Sequence, residues 1–202
     1  MHIAFVRHGL TDWNLARRMQ GRTDIPLNEE GRAQARAVAE TLANELAAPG
    51  AAGWDSIVSS PLQRARETAE LIGTRLALPP VTEEPLFTER SFGIAEGLAV
   101  ADAQQRWPEF DGEDMEPDAE VALRGRLGLT ALAERLPGSR VLVVSHGAFI
   151  RHLLAEIAGV PRATIPRIEN VAVSRVGLDP ERAEWRVHDV AGVPLADLLP
   201  PR

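Results

Sequence analysis

Apolar and polar positions change rhythm along the 202-residue chain, and those changes mark out its elements. The run His2-Ile3-Ala4-Phe5-Val6 is rich in β-formers, too short for a helix, and reads as a buried strand. A three-to-four spacing follows at Ala35, Val38, Leu42 and Leu46, behind Asn28 as a cap and Glu29 and Glu30 as first-turn acids. It predicts a helix with one face inward. Residues 56–59 read as a second strand, leading into a helix with Pro61 near its first position and Leu62, Ala65, Ala69, Ile72 and Leu76 as its buried stripe. Residues 79–97, with Pro79, Pro80, Pro85, Gly93 and Gly97, read mostly as loop. Helices are predicted over 98–106 and 119–136, the second weakened by Gly125 and Gly128. A strand over 140–145, a helix over 148–158 stopped by Gly159 and Pro161, and an edge hairpin of 171–177 with 184–190 complete the chain. Strands alternating with helices predict an α/β fold, a three-layer α/β/α sandwich around a mostly parallel central sheet. No repeat and no break in composition divides the sequence, so residues 1–202 read as a single domain. Such a length buries roughly 70% of the unfolded surface.

Composition narrows the picture by exclusion. A net charge of −7 and a pI near 5.3 argue against nucleic acid or an anionic membrane as general partners. There is no apolar run long enough to span a bilayer and no basic-then-apolar leader pattern, so the expected compartment is the cytoplasm. The absence of cysteine excludes disulfides and thiolate metal sites. Between residues 109 and 120 stand Glu109, Asp111, Glu113, Asp114, Glu116, Asp118 and Glu120, which read as a solvated loop in preference to a metal site.

Three predicted strands end in residues suited to an anion: Arg7-His8-Gly9, Ser60-Pro61-Leu62-Gln63-Arg64, and Ser145-His146-Gly147. The carboxyl edge of an open α/β sheet is where such folds place ligands. A phosphomonoester is nearly a dianion at neutral pH and repels anionic nucleophiles, whereas a neutral imidazole nitrogen can attack phosphorus. That splits one hard displacement into two easier ones. The other ring nitrogen must then keep its proton, typically on a backbone carbonyl. Arg7, Arg64 and His146 are the available cations for the equatorial oxygens, with Asn14 and the Gly9 and Gly147 amides as neutral donors. The leaving alkoxide needs a proton, and Glu89 is the candidate acid, with Phe87 and Phe92 expected to give it apolar surroundings.

The motifs Arg-His-Gly-x-Thr-x-x-Asn (7–14), Gln20-Gly21 with Asp24 and Leu27, Ser59-Ser60-Pro61-Leu62-x-Arg64-Ala65-x-x-Thr68-Ala69, Glu89-Arg90-x-x-Gly93-x-x-Glu96-Gly97 and Ser145-His146-Gly147 occur in one order over most of the chain. In this the sequence resembles the histidine phosphatase superfamily, in its phosphoglycerate-mutase-like branch. The resemblance implies His8 as the phosphorylated nucleophile, Arg7, Arg64 and His146 as the phosphate pocket, and Glu89 as the proton donor. It places Gly9, Thr11, Asn14, Gln20, Gly21, Arg90 and Gly147 at phosphate- or substrate-binding positions, and it implies no cofactor and no metal. The expected partner is a small-molecule phosphomonoester, and a homodimer is left open.

Several other residues receive a plain structural reading. His2, His152 and His188 are expected to be packed or surface-exposed, and Arg22 and Arg151 to be solvated near the mouth. Trp13 would wall the site, and Glu96 would support the loop carrying Glu89. Between hydrolysis and mutase chemistry, the region 98–120 favours hydrolysis. It lacks lysine, holds only Arg106 as a cation, and carries carboxylates that would repel a bisphosphate. A cofactor-dependent phosphoglycerate mutase is the alternative. A non-catalytic phosphate-binding module is disfavoured because His8 and Glu89 are both intact, and relatives acting on protein phosphohistidine are shorter and lack the Glu89-type loop.

Overall fold

A computed structural model describes residues 1–199. The strands are β1 (His2–Arg7), β2 (Ser56–Ser59), β3 (Thr82–Glu83), β4 (Arg140–Ser145), β5 (Val173–Asp179), β6 (Glu184–Val190) and β7 (Val193–Pro194). They form one sheet in the order β3-β2-β4-β1-β5-β6-β7. The first four strands run parallel, β5 is antiparallel to β1, and the β5–β6 hairpin and β7 close that edge. The expected sheet is therefore correct as mostly parallel, with an antiparallel margin.

Strand alternation builds the three layers. Ile3 and Phe5 of β1, with Val141 and Val143 of β4, face a core shared with α5 (Asp118–Arg135) and α6 (Gly147–Ala158). Ala4, Val6, Leu142 and Val144 point the other way, onto α2 (Glu29–Leu46) and α3 (Gln63–Leu76). Successive side chains on a strand must face opposite sides, so residues 3–6 of β1 and 141–144 of β4 are all apolar because both faces are covered. A smaller cluster of Met19, Phe92, Ala95, Ala103 and Met115 lies apart from both cores and joins a short helix α1 (Asp12–Leu15) and its following turn to α4 (Val100–Arg106) and the segment before α5.

Most predicted helix ends fall within a residue or two of those observed, and the α2 cap is Asn28, which accepts from the Gly31 amide at 2.8 Å. Pro61 lies just outside α3, whose cap is Leu62. Residues 79–97 contain β3 and two single 3-10 turns in addition to loop. The glycines of α5 are not a weakness. A Cβ at Gly125 would crowd Leu153 and Phe149 of α6, and one at Gly128 would meet the Phe87 ring at 2.5 Å. They let α5 approach closely, and that contact outweighs the helix-propensity cost of about 1 kcal/mol per glycine.

The larger correction concerns the acidic run. Glu116, whose side chain is only 8% exposed, takes Arg124 at 2.6 Å and Arg22 at 3.2 Å, and accepts from the Ser91 amide at 3.1 Å. Asp114 accepts from the Ile94 amide at 2.7 Å, and Asp118 meets Arg90 at 2.7 Å. Met115 between them is buried. Three of the seven carboxylates thus fasten this segment to the 89–97 loop, because each finds a fixed cation or amide that pays more than solvation would.

Backbone crowding also fixes the turn after β1. Gly9 packs against the Gly31 carbonyl, and a Cβ on Gly31 would collide with the Leu10 backbone. Gly31→Ala is expected to destabilise the fold by about 1–3 kcal/mol, the usual cost of overpacking, and to lower kcat/KM by displacing His8. A urea midpoint and an activity within error of wild type would contradict this.

Candidate active site

Because β1, β2 and β4 are parallel neighbours, their carboxyl ends lie side by side. Arg7 pairs in register with Ser145, and Ser59 with Val144. The residues just beyond, His8, Ser60 and His146, converge on one point, joined by Arg64 from the first turn of α3. The His8 and His146 rings are 5.2 Å apart, and both are fully enclosed.

Each group is held by a defined partner. His8 Nδ1 lies 2.7 Å from the Gly9 carbonyl, which as an acceptor requires the proton on Nδ1. Nε2 is then a lone-pair atom, and Arg64 Nε donates to it at 3.3 Å. Burial, then the charges of Arg64 and Arg7, hold the His8 pKa well below its usual value, so the ring is neutral. His146 was expected as a cation. Burial and Arg64 instead keep it neutral, with Nε2 at 2.7 Å from Ser60 Oγ and Nδ1 without a protein partner among the described residues. Arg7 donates to the Ile168 carbonyl at 2.7 Å, and Arg64 to the Gly21 and Thr23 carbonyls at 2.7 and 2.9 Å. Burial lowers the Arg7 pKa to about 10, which leaves it charged at neutral pH. Arg7 Nε likewise has no partner among the described residues.

Glu89 sits at the amino end of α6. It accepts from the Phe149 amide at 2.8 Å, the Ala148 amide at 3.2 Å and its own neighbour Arg90 at 2.9 Å. Its surroundings are thus amides and not the apolar setting expected, while Phe87 turns away into the core beside Phe5 and Phe149. The segment is clamped from behind. Ser145 Oγ donates to the Phe87 carbonyl, and Arg124 to the Leu86 and Thr88 carbonyls at 2.8 and 2.6 Å. Glu96 bonds the Phe92, Arg22 and Thr23 amides, tying the 20–23 and 89–97 loops together as support for Glu89.

These groups line a pocket of about 230 Å³. Arg7, His8, Asn14, Gln20, Gly21, Arg64, Glu89, Arg90 and Gly147 all contribute to its wall. Gly9, Thr11 and His146 lie behind it. The Gly9 amide, expected as a phosphate donor, is spent on Thr68 Oγ1 at 3.1 Å. Thr11 caps α1 and donates to Gln20 Oε1, orienting that amide. Arg90 reaches the Glu116 and Phe110 carbonyls and Asp118, so it anchors the 110–118 segment as well as lining the pocket. Trp13 packs on Gly97 and is not in the wall.

Sequence reasoning missed several residues. Arg18, Arg151, His152, Arg162 and Arg167 also line the pocket, and Asn170 Nδ2 holds the His8 carbonyl at 2.9 Å. His152 is buried, and burial, opposed by Asp118, lowers its pKa to about 4. Their signal was weak: Arg18, Arg151 and His152 lie near motifs but occupy no motif position, and Arg162 and Arg167 are remote from every motif.

A scan against known families matches residues 3–191 to the histidine phosphatase superfamily, branch 1. The chain belongs to that superfamily. It is 40% identical over 188 residues, 93% of this chain and 92% of the other, to an uncharacterised phosphatase, PhoE, of Bacillus subtilis. A probable phosphoglycerate mutase, GpmB, of Yersinia pestis is 32% identical over 92% of this chain and 87% of its own. Among solved structures, a mycobacterial glucosyl-3-phosphoglycerate phosphatase superposes with a TM-score of 0.80 at 28% identity, covering 93% of this chain and 97% of that one. Family and relatives together make this an enzyme of the phosphatase class. No helix of the described residues is long and apolar enough to cross a membrane.

Two measurements check this geometry. Arg124→Ala strands the buried Glu116 carboxylate and is expected to destabilise by about 3–5 kcal/mol, with much of the loss recovered in Arg124→Met combined with Glu116→Gln. Additive losses in the double variant would contradict the pairing. For pH, His8, His146 and His152 have folded pKa values below the usual 6.5, so the unfolded chain binds more protons as pH falls. Stability is then fully present above about 6.5 and is lost progressively below it. Glu116, raised by burial but held low by Arg124, Ser91 and Arg22, adds a further loss at more acidic pH. A melting temperature that is flat or rising from pH 7 to pH 5 would contradict the histidine assignment.

Proposed function

We propose that the chain is a metal-independent phosphomonoester hydrolase that works through a phosphohistidine at His8, with Glu89 as general acid and then general base. The observation that carries this reading is the neutral His8 ring, whose Nδ1–H donates to the Gly9 carbonyl and whose Nε2 stands beside Arg64 at the pocket wall. An imidazole so held is a nucleophile before substrate arrives, with no proton to lose first.

In the first step Nε2 attacks phosphorus as the ester P–O bond breaks, and Glu89 gives its proton to the departing alkoxide. Arg7 and Arg64, anchored to carbonyls and, for Arg64, to His8 Nε2, but to no carboxylate among the described residues, keep their charge for the equatorial oxygens. Arg7 Nε and His146 Nδ1 supply two further buried polar atoms that a phosphate can satisfy. In the second step Glu89 takes a proton from water, the water oxygen bonds phosphorus, the P–N bond breaks and inorganic phosphate leaves. The domain is taken as one unit over 1–202, and the substrate as a small metabolite, in keeping with a pocket of about 230 Å³.

Hydrolysis is preferred over mutase chemistry on grounds that differ from the sequence argument. Repulsion from the acidic run no longer serves, since Glu116 and Asp118 are paired and Glu89 is the one carboxylate in the pocket wall. Support comes instead from the phosphatase relative at 40% identity.

Phosphate release from simple phosphomonoesters is expected to survive EDTA and to vanish in His8→Ala. Glu89→Gln is expected to lower kcat by about 10²–10⁴ with an alkyl ester, and far less with p-nitrophenyl phosphate, whose leaving group needs little protonation. Equal losses on both esters would remove Glu89 from the acid's role, and near-normal turnover by His8→Ala would remove His8 from the nucleophile's.

A further inference from the structure

Residues 168–172 form the turn that leads into β5, and they grip the end of β1. The Ile168 carbonyl accepts from Arg7 at 2.7 Å, the Val171 amide donates to the Arg7 carbonyl at 3.0 Å, and the Ala172 carbonyl accepts from the Arg7 amide at 3.1 Å. Within this turn Val171 has φ +54°. A β-branched residue rarely adopts that left-handed conformation. Such strain persists only where the surroundings impose it, and it gathers at functional sites. The residue it follows directly is Asn170.

An asparagine in a turn commonly bonds to its own backbone. Asn170 instead donates through Nδ2 to the His8 carbonyl at 2.9 Å and to Asn14 Oδ1 at 3.3 Å, residues 162 and 156 positions away. Both partners are acceptors, so only the NH₂ end of Asn170 fits there; the flipped amide would set oxygen against oxygen. The His8 carbonyl and the Gly9 amide belong to one planar peptide unit. Asn170 holds its carbonyl end and Thr68 Oγ1 its amide end, at 3.1 Å. The next carbonyl, that of Gly9, takes the Nδ1 proton of the nucleophile. The aim of the imidazole therefore depends on a peptide plane that Asn170 fixes.

The second bond acts on the pocket wall. Asn14 stands there beside His8 and Arg64, in a helix of a single turn. Its Oδ1 accepts from the Thr11 amide at 3.3 Å and from Asn170. With its oxygen committed to these two donors, the end of Asn14 left for a ligand is the NH₂. An amide oxygen turned to the pocket would repel a phosphoryl oxygen, whereas an N–H donates to it.

Resting on the phosphohistidine reading above, we propose that Asn170 is a positioning residue for phosphoryl transfer, which aims the His8 imidazole through its carbonyl and turns the Asn14 NH₂ toward the phosphoryl group. It touches neither substrate nor the reacting nitrogen. The left-handed Val171 is the backbone conformation that brings Asn170 to both partners.

The test is a single turnover of p-nitrophenyl phosphate with enzyme in saturating excess. The first-order rate constant then reports the competent sites alone, so a partly folded preparation does not lower it. Asn170→Ala is expected to lower this constant about 10- to 100-fold, the scale of a small misplacement of reacting groups. The same factor is expected with an alkyl ester, since the defect lies in the attack and not in protonation of the leaving group. Asn170→Asp keeps the shape of the side chain but has no N–H, and it is expected to fall at least as far. In an Asn14→Ala background, Asn170→Ala is expected to fall by a smaller factor, because one of its two routes is already gone. A rate constant within about twofold of wild type in Asn170→Ala or Asn170→Asp would mean that the residue merely ties the turn, and overturns the proposal. An equal factor with and without Asn14 overturns it too, and both results leave the phosphatase reading intact. Absence of His8-dependent hydrolysis in the wild-type enzyme overturns both.

Discussion

Everything at the carboxyl edge of this sheet answers to one constraint: two guanidiniums, Arg7 and Arg64, are buried beside two imidazoles without an ion-pair partner among the described residues. Burying a charge is costly unless hydrogen bonds replace water. Here backbone carbonyls of Ile168, Gly21 and Thr23 do so. Carbonyls satisfy the donors but do not cancel the charge, so the positive field remains for a phosphate. The same field, with burial, keeps His8 and His146 neutral. Nucleophile and phosphate cradle are thus two consequences of one arrangement.

That arrangement explains the weight of scaffolding around it. The loop contributing Gly21 and Thr23 is tied by Glu96 to the loop carrying Glu89. The Glu89 segment is clamped by Ser145, Arg124 and, through Arg124, Glu116. Glu89 itself is aimed by amides at the start of α6, a helix whose preceding strand β4 delivers His146. Charged side chains away from the reacting centre mostly hold loops, and the acidic run from 109 to 120 is part of that service.

Much of this was legible in the sequence, and the failures share a cause. Strands such as 2–6 and 140–145 and the helices around them declare themselves through local periodicity, which survives folding. His8, Arg64, Glu89 and His146 were readable because each stands in a recognisable motif. What periodicity cannot carry is the identity of a partner. Gly125 and Gly128 looked like helix weaknesses because Phe87 and Leu153, which they admit, are distant in sequence. The acidic run looked solvated because Arg124, Ser91 and Ile94, which receive its carboxylates, belong to other segments. His146 was read as a cation because burial is not written in a tripeptide. Arg151 was read as a solvated surface residue because only the fold places it in the wall of the pocket that His8 also lines.

The central claim is that phosphoryl transfer passes through His8 Nε2. Its most direct test is a single-turnover reaction quenched in alkali, where phosphohistidine survives, followed by mass mapping of the phosphorylated residue. The account predicts transient phosphorylation of His8, on Nε2, appearing with the released alcohol and ahead of inorganic phosphate. Release of alcohol and phosphate together, with no phosphoryl group on His8 at any time, would contradict it and point to direct attack by water.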